Sequence, residues 1–185
     1  MKKILFMLVL LWTAGKVLKI SSREWNPARH WAYFKYVLRH KWFVFEECIK
    51  LGVPLYVAIF HDWDKFLSDE WTAYAQAFYG RDGTKRYIEH TAFIEAWNAH
   101  QKRNKHHWQY WIMDWGNDKG VEILEMPDLY RREMLADWRG AGRAITGDDN
   151  TLDWYTNNRE YIKIHPKTRK WVEAQLGYEP EKVEQ

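Results

Sequence analysis

Between Asn26-Pro27 and Gly52 the chain runs without another glycine or proline, and the order of its side chains leaves little choice of structure. Tyr33, Val37, His40, Val44, Glu47 and Leu51 recur at steps of three and four, one face of an α-helix. Pro27 suits the first helical position and Gly52 the C-terminal cap. So long an apolar face must be covered by other elements, and the rest of the chain reads mostly as helices. Pro54 opens a second helix over residues 54–67. Ser68 caps a third over 70–80, and further helices are predicted over 84–101 and 106–115. After the Gly116–Gly120 turn, Val121–Leu124 reads as a short strand or extended link. Pro127 then opens a helix to Thr146, and two more cover 151–161 and 168–176. The expected fold is mainly α: a single-domain helical bundle over 21–178, with a short extended or hairpin insert near residues 116–125 and a frayed tail at 179–185.

A chain of 185 residues that is 46% hydrophobic has enough material for one core, which excludes collagen-like and wholly disordered classes. One cysteine, Cys48, excludes an internal disulfide framework and a cysteine-cluster zinc site. A net charge of +3 admits a nucleic acid as partner, and the composition a second copy of the chain, without calling for either. The 13 Trp and 11 Tyr predict a rigid, preformed interior. Met1–Ala14, MKKILFMLVLLWTA, carries an apolar run too short for an ordinary transmembrane helix. Residues 1–20 read as an apolar element packed on the domain of a cytoplasmic protein, not a membrane partner. The alternative is an exported or anchored chain, with this run as signal or anchor.

Charged and polar groups stand where the pattern is apolar. His40 lies mid-face on the first helix. Ala58-Ile59-Phe60 leads straight into His61-Asp62, with Lys65 one turn on. His100, His106 and His107 fall within eight residues among tryptophans, and Asp137 sits inside MLADW, four residues after Glu133. Burying a carboxylate is expensive unless it is paired or coordinated. Imidazole nitrogen and carboxylate oxygen are ligands for first-row metals. His40, His61, Asp62, His100, His106, His107 and Asp137 are therefore the metal-ligand candidates, converging from separate helices of a bundle. His106 and His107 diverge if helical, so at most two of the three middle histidines are expected to bind directly. His90 is a minor candidate, and His30 and His165 read as structural or exposed. Trp63, Trp108 and Trp138, each beside a proposed ligand, are candidates for stacking a base.

An adjacent His-Asp pair, with a histidine on the preceding helix and a distant downstream aspartate, resembles the HD-domain family of metal-dependent phosphohydrolases. On that resemblance His40, His61-Asp62 and Asp137 are the family ligands, and His100, His106 and His107 stand where two-metal members add histidines. Over about Tyr36 to Leu176 the chain also resembles an uncharacterised family common in phages and bacteria, in HDWDKF, FIEAWNAHQKRNKHHWQYW, EMPDLYRREMLADWRGAG and WYTNNREYIKIHPKTRKWVEAQL. The resemblance implies a helical hydrolase acting on a nucleotide or other small phosphate ester through metal-activated water. Its ion is a divalent transition metal (Mn²⁺, Co²⁺, Zn²⁺ or Fe²⁺, one ion or two) rather than Mg²⁺. Asp62 would bridge two ions or ligate one. Lys65 would clamp phosphate or bond to Asp62, Arg103 and Lys105 would add positive charge for phosphate, and Glu133 would accept from a ligand imidazole. The alternatives are a non-catalytic interaction protein with a structural metal and a membrane-apposed helical protein. No P-loop, G-x-G-x-x-G, H-E-x-x-H or G-x-S-x-G motif is present.

Overall fold

Helix α1 (Pro27–Lys50) is the spine of the molecule. The Asn26 side chain accepts from the Arg29 amide at 2.9 Å, Pro27 takes the first turn, and the Leu51 amide returns to the Glu47 carbonyl. The sequence face is the buried face: Tyr33, Val37, His40, Val44 and Glu47 are all inside. The computed structural model describes residues 25–179. The apolar segment at 1–20 and all but the first residue of the tail at 179–185 lie outside the described residues.

The helix predicted over 54–67 is broken in two. Helix α2 (Leu55–Phe60) stops at His61, and Asp62 turns into the left-handed region at φ 51, ψ 32 before a 3₁₀ turn, Trp63–Phe66. A contact from α1 permits the break: the buried Lys41 ammonium donates to the His61 carbonyl, which then needs no helical partner. Helix α3 (Ser68–Phe78) follows. The helix predicted from residue 84 begins later, as α4 (Thr91–Arg103). Asp82 accepts from both the amide and the hydroxyl of Thr84, which closes a turn, and His90 caps α4 by accepting from the Phe93 amide at 3.2 Å.

The helix predicted over 106–115 is also absent. His106 and His107 lie in a turn, and only Trp108–Trp111 makes a 3₁₀ turn. Strand β1 (Ile112–Asp114) then pairs antiparallel with β2 (Val121–Ile123), Ile112 opposite Ile123. The expected insert is thus a hairpin whose first strand starts a little earlier. Helices α5 (Asp128–Thr146), α6 (Thr151–Asn158) and α7 (Pro166–Leu176) complete the mainly α domain.

Among the described residues the most extensive helix packing is α1 on α5, and Gly140 permits its close approach: a Cβ there would lie 2.6 Å from the Val44 backbone nitrogen. Helix α5 separates two apolar clusters. One gathers Val37, Val44, Phe66, Trp71 and Phe93 around α1, α3 and α4; the other gathers Met126, Met134, Tyr155 and Val172 under α6 and α7. Full burial of each such side chain is worth about 1.5–3 kcal/mol, so the α1–α5 seam is held from both sides. Among the described residues no helix is long and apolar enough to cross a membrane.

Candidate metal centre

The polar residues of that seam meet. His40 comes from α1, Asp137 from α5, and His61 and Asp62 from the break after α2. His40 Nε2 lies 3.3 Å from Asp62 Oδ2 and 3.3 Å from Asp137 Oδ1, and His61 Nε2 lies 3.4 Å from each of the same oxygens. A point central to four such atoms is about 2.0–2.4 Å from each, whether they form a tetrahedron or a square, which is the reach of a first-row metal bond. The other carboxylate oxygen, Asp62 Oδ1, lies 3.4 Å from His100 Nε2 and 3.2 Å from His106 Nε2. His107 completes this second set. Every member of both sets is buried, and each set could hold a metal ion, with Asp62 shared between them.

All three middle histidines belong to the second set, where at most two were expected. The expectation assumed a helix. In the turn that replaces it, the rings of His106 and His107 are 4.3 Å apart and lie on one side of the chain, beside His100 at the end of α4. The left-handed Asp62 does the same for its own pair. On a continuous helix neighbouring side chains point about 100° apart; the turn instead divides the two Asp62 oxygens between the two sets.

The donor atoms pass a simple test of fit. His61 Nε2, Asp62 Oδ1, His100 Nε2, His106 Nε2, His107 Nε2 and Asp137 Oδ1 are all buried without a hydrogen-bond partner, and all aim into these two clusters. Natural proteins rarely leave such groups unsatisfied, and one cation in each set would satisfy all six. Charge argues the same way. Asp62, Asp64, Glu70, Glu133 and Asp137 face Lys41, Lys65 and Arg103, which leaves two negative charges if the imidazoles are neutral. Burial opposes a charge on His61 and His100, yet Asp62 and its neighbouring carboxylates hold His61 well above its ordinary range and His100 at about 11. Burial, aided by His106 and His100, pushes His107 well down and keeps it neutral. The cavity thus draws protons where it lacks other cations.

Outer carboxylates orient the rings. His61 Nδ1 donates to Glu133 Oε1 at 3.0 Å, and His106 Nδ1 lies 3.3 Å from the same oxygen. Glu133 opposes its own burial with these two imidazoles and falls to about 2. His100 Nδ1 lies 2.9 Å from Glu70 and 3.3 Å from Asp64. Carboxylates in this position fix the ring orientation of ligand histidines. Sequence reasoning reached Glu133 but missed Asp64, Glu70 and Lys41. Glu70 sits in the first turn of α3, where an acid is expected for the helix dipole alone. Asp64 and Lys41 follow ligands by two residues and one, with no periodicity to mark them.

Lys65 donates to Asp62 Oδ2 and lines a cavity of about 570 Å³ together with His40, His107 and Asp137. Arg103 does not face that cavity. Its guanidinium is spent on Asp69 and Glu70, both at 2.8 Å, so it braces the outer carboxylates instead of receiving phosphate. Lys105 is exposed and lies over the rings of Tyr110 and Tyr130. His90 caps α4 and belongs to neither ligand set, and His165 caps α7. His30 accepts from the Trp71 indole at 2.8 Å. The three tryptophans expected to stack a base stand elsewhere: Trp63 is on the surface, and Trp108 and Trp138 pack against the second apolar cluster. Phe78, Tyr87, Phe93 and Trp97 wall the cavity in their place.

Residues 29–178 match a family described as a family of unknown function, DUF5662. No curated protein and no solved structure matches the chain.

Proposed function

The chain belongs to the DUF5662 family, and we propose that it is a metal-dependent phosphohydrolase of the HD-domain type, acting on a nucleotide or other small phosphate ester. The observation that carries this reading is the division of Asp62, one oxygen to each of two buried ligand sets that open onto one cavity. His40, His61, Asp62 and Asp137 would hold one divalent transition metal; Asp62, His100, His106 and His107 would hold a second. Such ions acidify water and draw charge from a phosphoryl oxygen.

The chain's own groups do the rest. Glu133, Glu70 and Asp64 keep the imidazoles turned inward. Lys65, held on Asp62 at the cavity wall, carries a fixed positive charge toward the ester, where negative charge grows as water adds to phosphorus and the alcohol departs with a proton. A purely structural ion would need no cavity, yet His40, His107 and Asp137 line one.

The test is a panel of nucleoside mono- and triphosphates and a generic phosphodiester, each with Mn²⁺, Co²⁺, Zn²⁺, Mg²⁺ or Fe²⁺ under reducing conditions. Asp62→Asn is expected to weaken metal binding and abolish turnover. Lys65→Ala is expected to keep the metal and impair handling of phosphate. Undiminished turnover in Asp62→Asn refutes the mechanism. No phosphate release from any ester, with the metal verifiably bound, favours the structural ion.

A further inference from the structure

Two tyrosines that the sequence pattern does not tie to the site stand in the wall of the same cavity. Tyr33 lies on α1 and Tyr74 on α3, both almost wholly buried, their rings 6.4 Å apart. Neither hydroxyl has a hydrogen-bond partner among the described residues. Burying a hydroxyl with nothing to bond is costly. Phenylalanine would fill either place without that cost, so each site keeps a polar atom at the expense of stability. Both residues line the cavity beside Lys65, and the Tyr74 ring is 6.2 Å from that of His100. Burial pushes both phenols far above their ordinary range, against the pull of Lys65, so each remains an O–H donor at any working pH.

Most of the remaining lining is aromatic, with Glu89, Ile94 and Ala141 between the rings. Phe93 meets Tyr74 edge-on at 5.3 Å and Phe78 at 5.4 Å, Trp97 stacks on His100, and Tyr87 stands exposed at 5.7 Å from Phe78. A bare phosphate would leave most of 570 Å³ empty against these rings. Cavities of a few hundred Å³ with apolar walls and a few convergent polar groups fit ligands with an organic part.

We infer that Tyr33 and Tyr74 donate hydrogen bonds to the phosphoryl oxygens of the substrate, and that the substrate carries a planar ring seated against Phe78, Phe93 and Trp97. The inference rests on reading the adjoining ligand sets as a hydrolytic centre. Polar donors beside Lys65 and the adjoining aromatic lining together select ring-bearing phosphate monoesters over small aliphatic ones.

The test uses phenylphosphonate and methylphosphonate, which bind as phosphate esters do but are not hydrolysed. Their affinities for the protein as purified are measured by calorimetry, with metal content and Tm in parallel. Phenylphosphonate is expected to bind at least about tenfold more tightly than methylphosphonate. Tyr33→Phe and Tyr74→Phe are each expected to weaken both ligands about tenfold, the weight of one hydrogen bond to a charged oxygen. Metal content should stay unchanged, and Tm unchanged or higher. Tyr87→Ala is expected to narrow the gap between the two ligands. Wild-type affinity in the double phenylalanine variant, with a raised Tm, would mean the hydroxyls are idle and overturns the inference. Equal affinity for the two phosphonates, or none for either, overturns it as well. Neither probe is turned over, so a failure of the hydrolase reading registers separately, as ester panels that release no phosphate from a protein that still binds phenylphosphonate through both hydroxyls.

Discussion

Replacing Gly140 by alanine is expected to damage the proposed metal centre from a distance. A Cβ at Gly140 would fall 2.5 Å from Val44 Cγ2, 2.6 Å from Val44 N and 2.8 Å from Val44 Cα. Two of those atoms are backbone and cannot swing aside. Reaching an ordinary carbon contact requires α1 and α5 to part by about 1 Å. Val44 is one turn beyond His40, and Gly140 is three residues beyond Asp137, so the movement is applied close to the 3.3 Å pair that His40 and Asp137 form. Metal bonds tolerate displacements of about 0.2 Å. Alanine in a helix interior ordinarily gains about 1 kcal/mol over glycine, whereas overpacking costs about 1–3 kcal/mol, and a backbone clash belongs at the upper end. The net loss is about 1–2 kcal/mol, a fall of about 2–8 °C in Tm for a chain of this size, with metal affinity down at least about tenfold. Gly142→Ala is the matched control. It lies on the same helix, but the one close approach of its Cβ would be to the end of the Asn150 side chain at 2.6 Å, which can rotate away; the backbone atoms of Asn150 and Asp148 lie at 3.6 and 3.7 Å, ordinary contacts. Its Tm should hold or rise. Thermal unfolding and competition with a chromogenic chelator read both quantities. A Gly140→Ala protein as stable as Gly142→Ala, with undiminished metal affinity, would refute the argument.

Four further outcomes rest on the same geometry. Glu133→Gln keeps the shape but removes the charge that turns His61 and His106 inward, so metal affinity should fall about 10–100-fold with little loss of helix content by circular dichroism. Unchanged affinity would show Glu133 to be a bystander. Because carboxylates hold His61 well up and His100 at about 11, metal uptake at pH 7 must displace protons, and affinity should climb with pH. Calorimetry in buffers of differing ionisation enthalpy counts those protons, and a count of zero contradicts the assignment. In the metal-free protein the His100 contribution to stability is complete below its ordinary value and is lost as pH rises toward about 11, so Tm should fall over that range. Arg103→Ala should lower Tm and disturb the set around His100, since it strips Glu70 of its cation. A selective rise in KM for phosphate esters, with Tm intact, would instead restore Arg103 to the substrate.

What could be read from the chain alone was whatever follows from regular periodicity. His40 and Asp137 stood out because helices of period 3.6 make a polar residue on an apolar face conspicuous, and α1 and α5 kept that period throughout. Apart from the start of α4, which a local turn and the His90 cap delay, the segments misread are those where tertiary contacts override the pattern. Nothing in IFHDWDKF announces a break, because the partner that permits it, Lys41, lies 20 residues upstream on another helix. The stretch around His106 and His107 has helix-compatible residues and still turns. In both places local propensity yields to the ligand sets. The seven ligand candidates come from α1, the α2 break, the end of α4, the turn after it, and α5. A continuous helix at either misread segment would turn one of each adjacent pair (His61 or Asp62, His106 or His107) out of the centre. Conflicts of this kind between local preference and final structure concentrate at functional sites. Here they occur at two places, and each conflict delivers ligand atoms to the two sets that meet at Asp62. That coincidence is an argument for function independent of any family resemblance: a domain needing only a packed core had no cause to break those helices, nor to bury five carboxylates where it did.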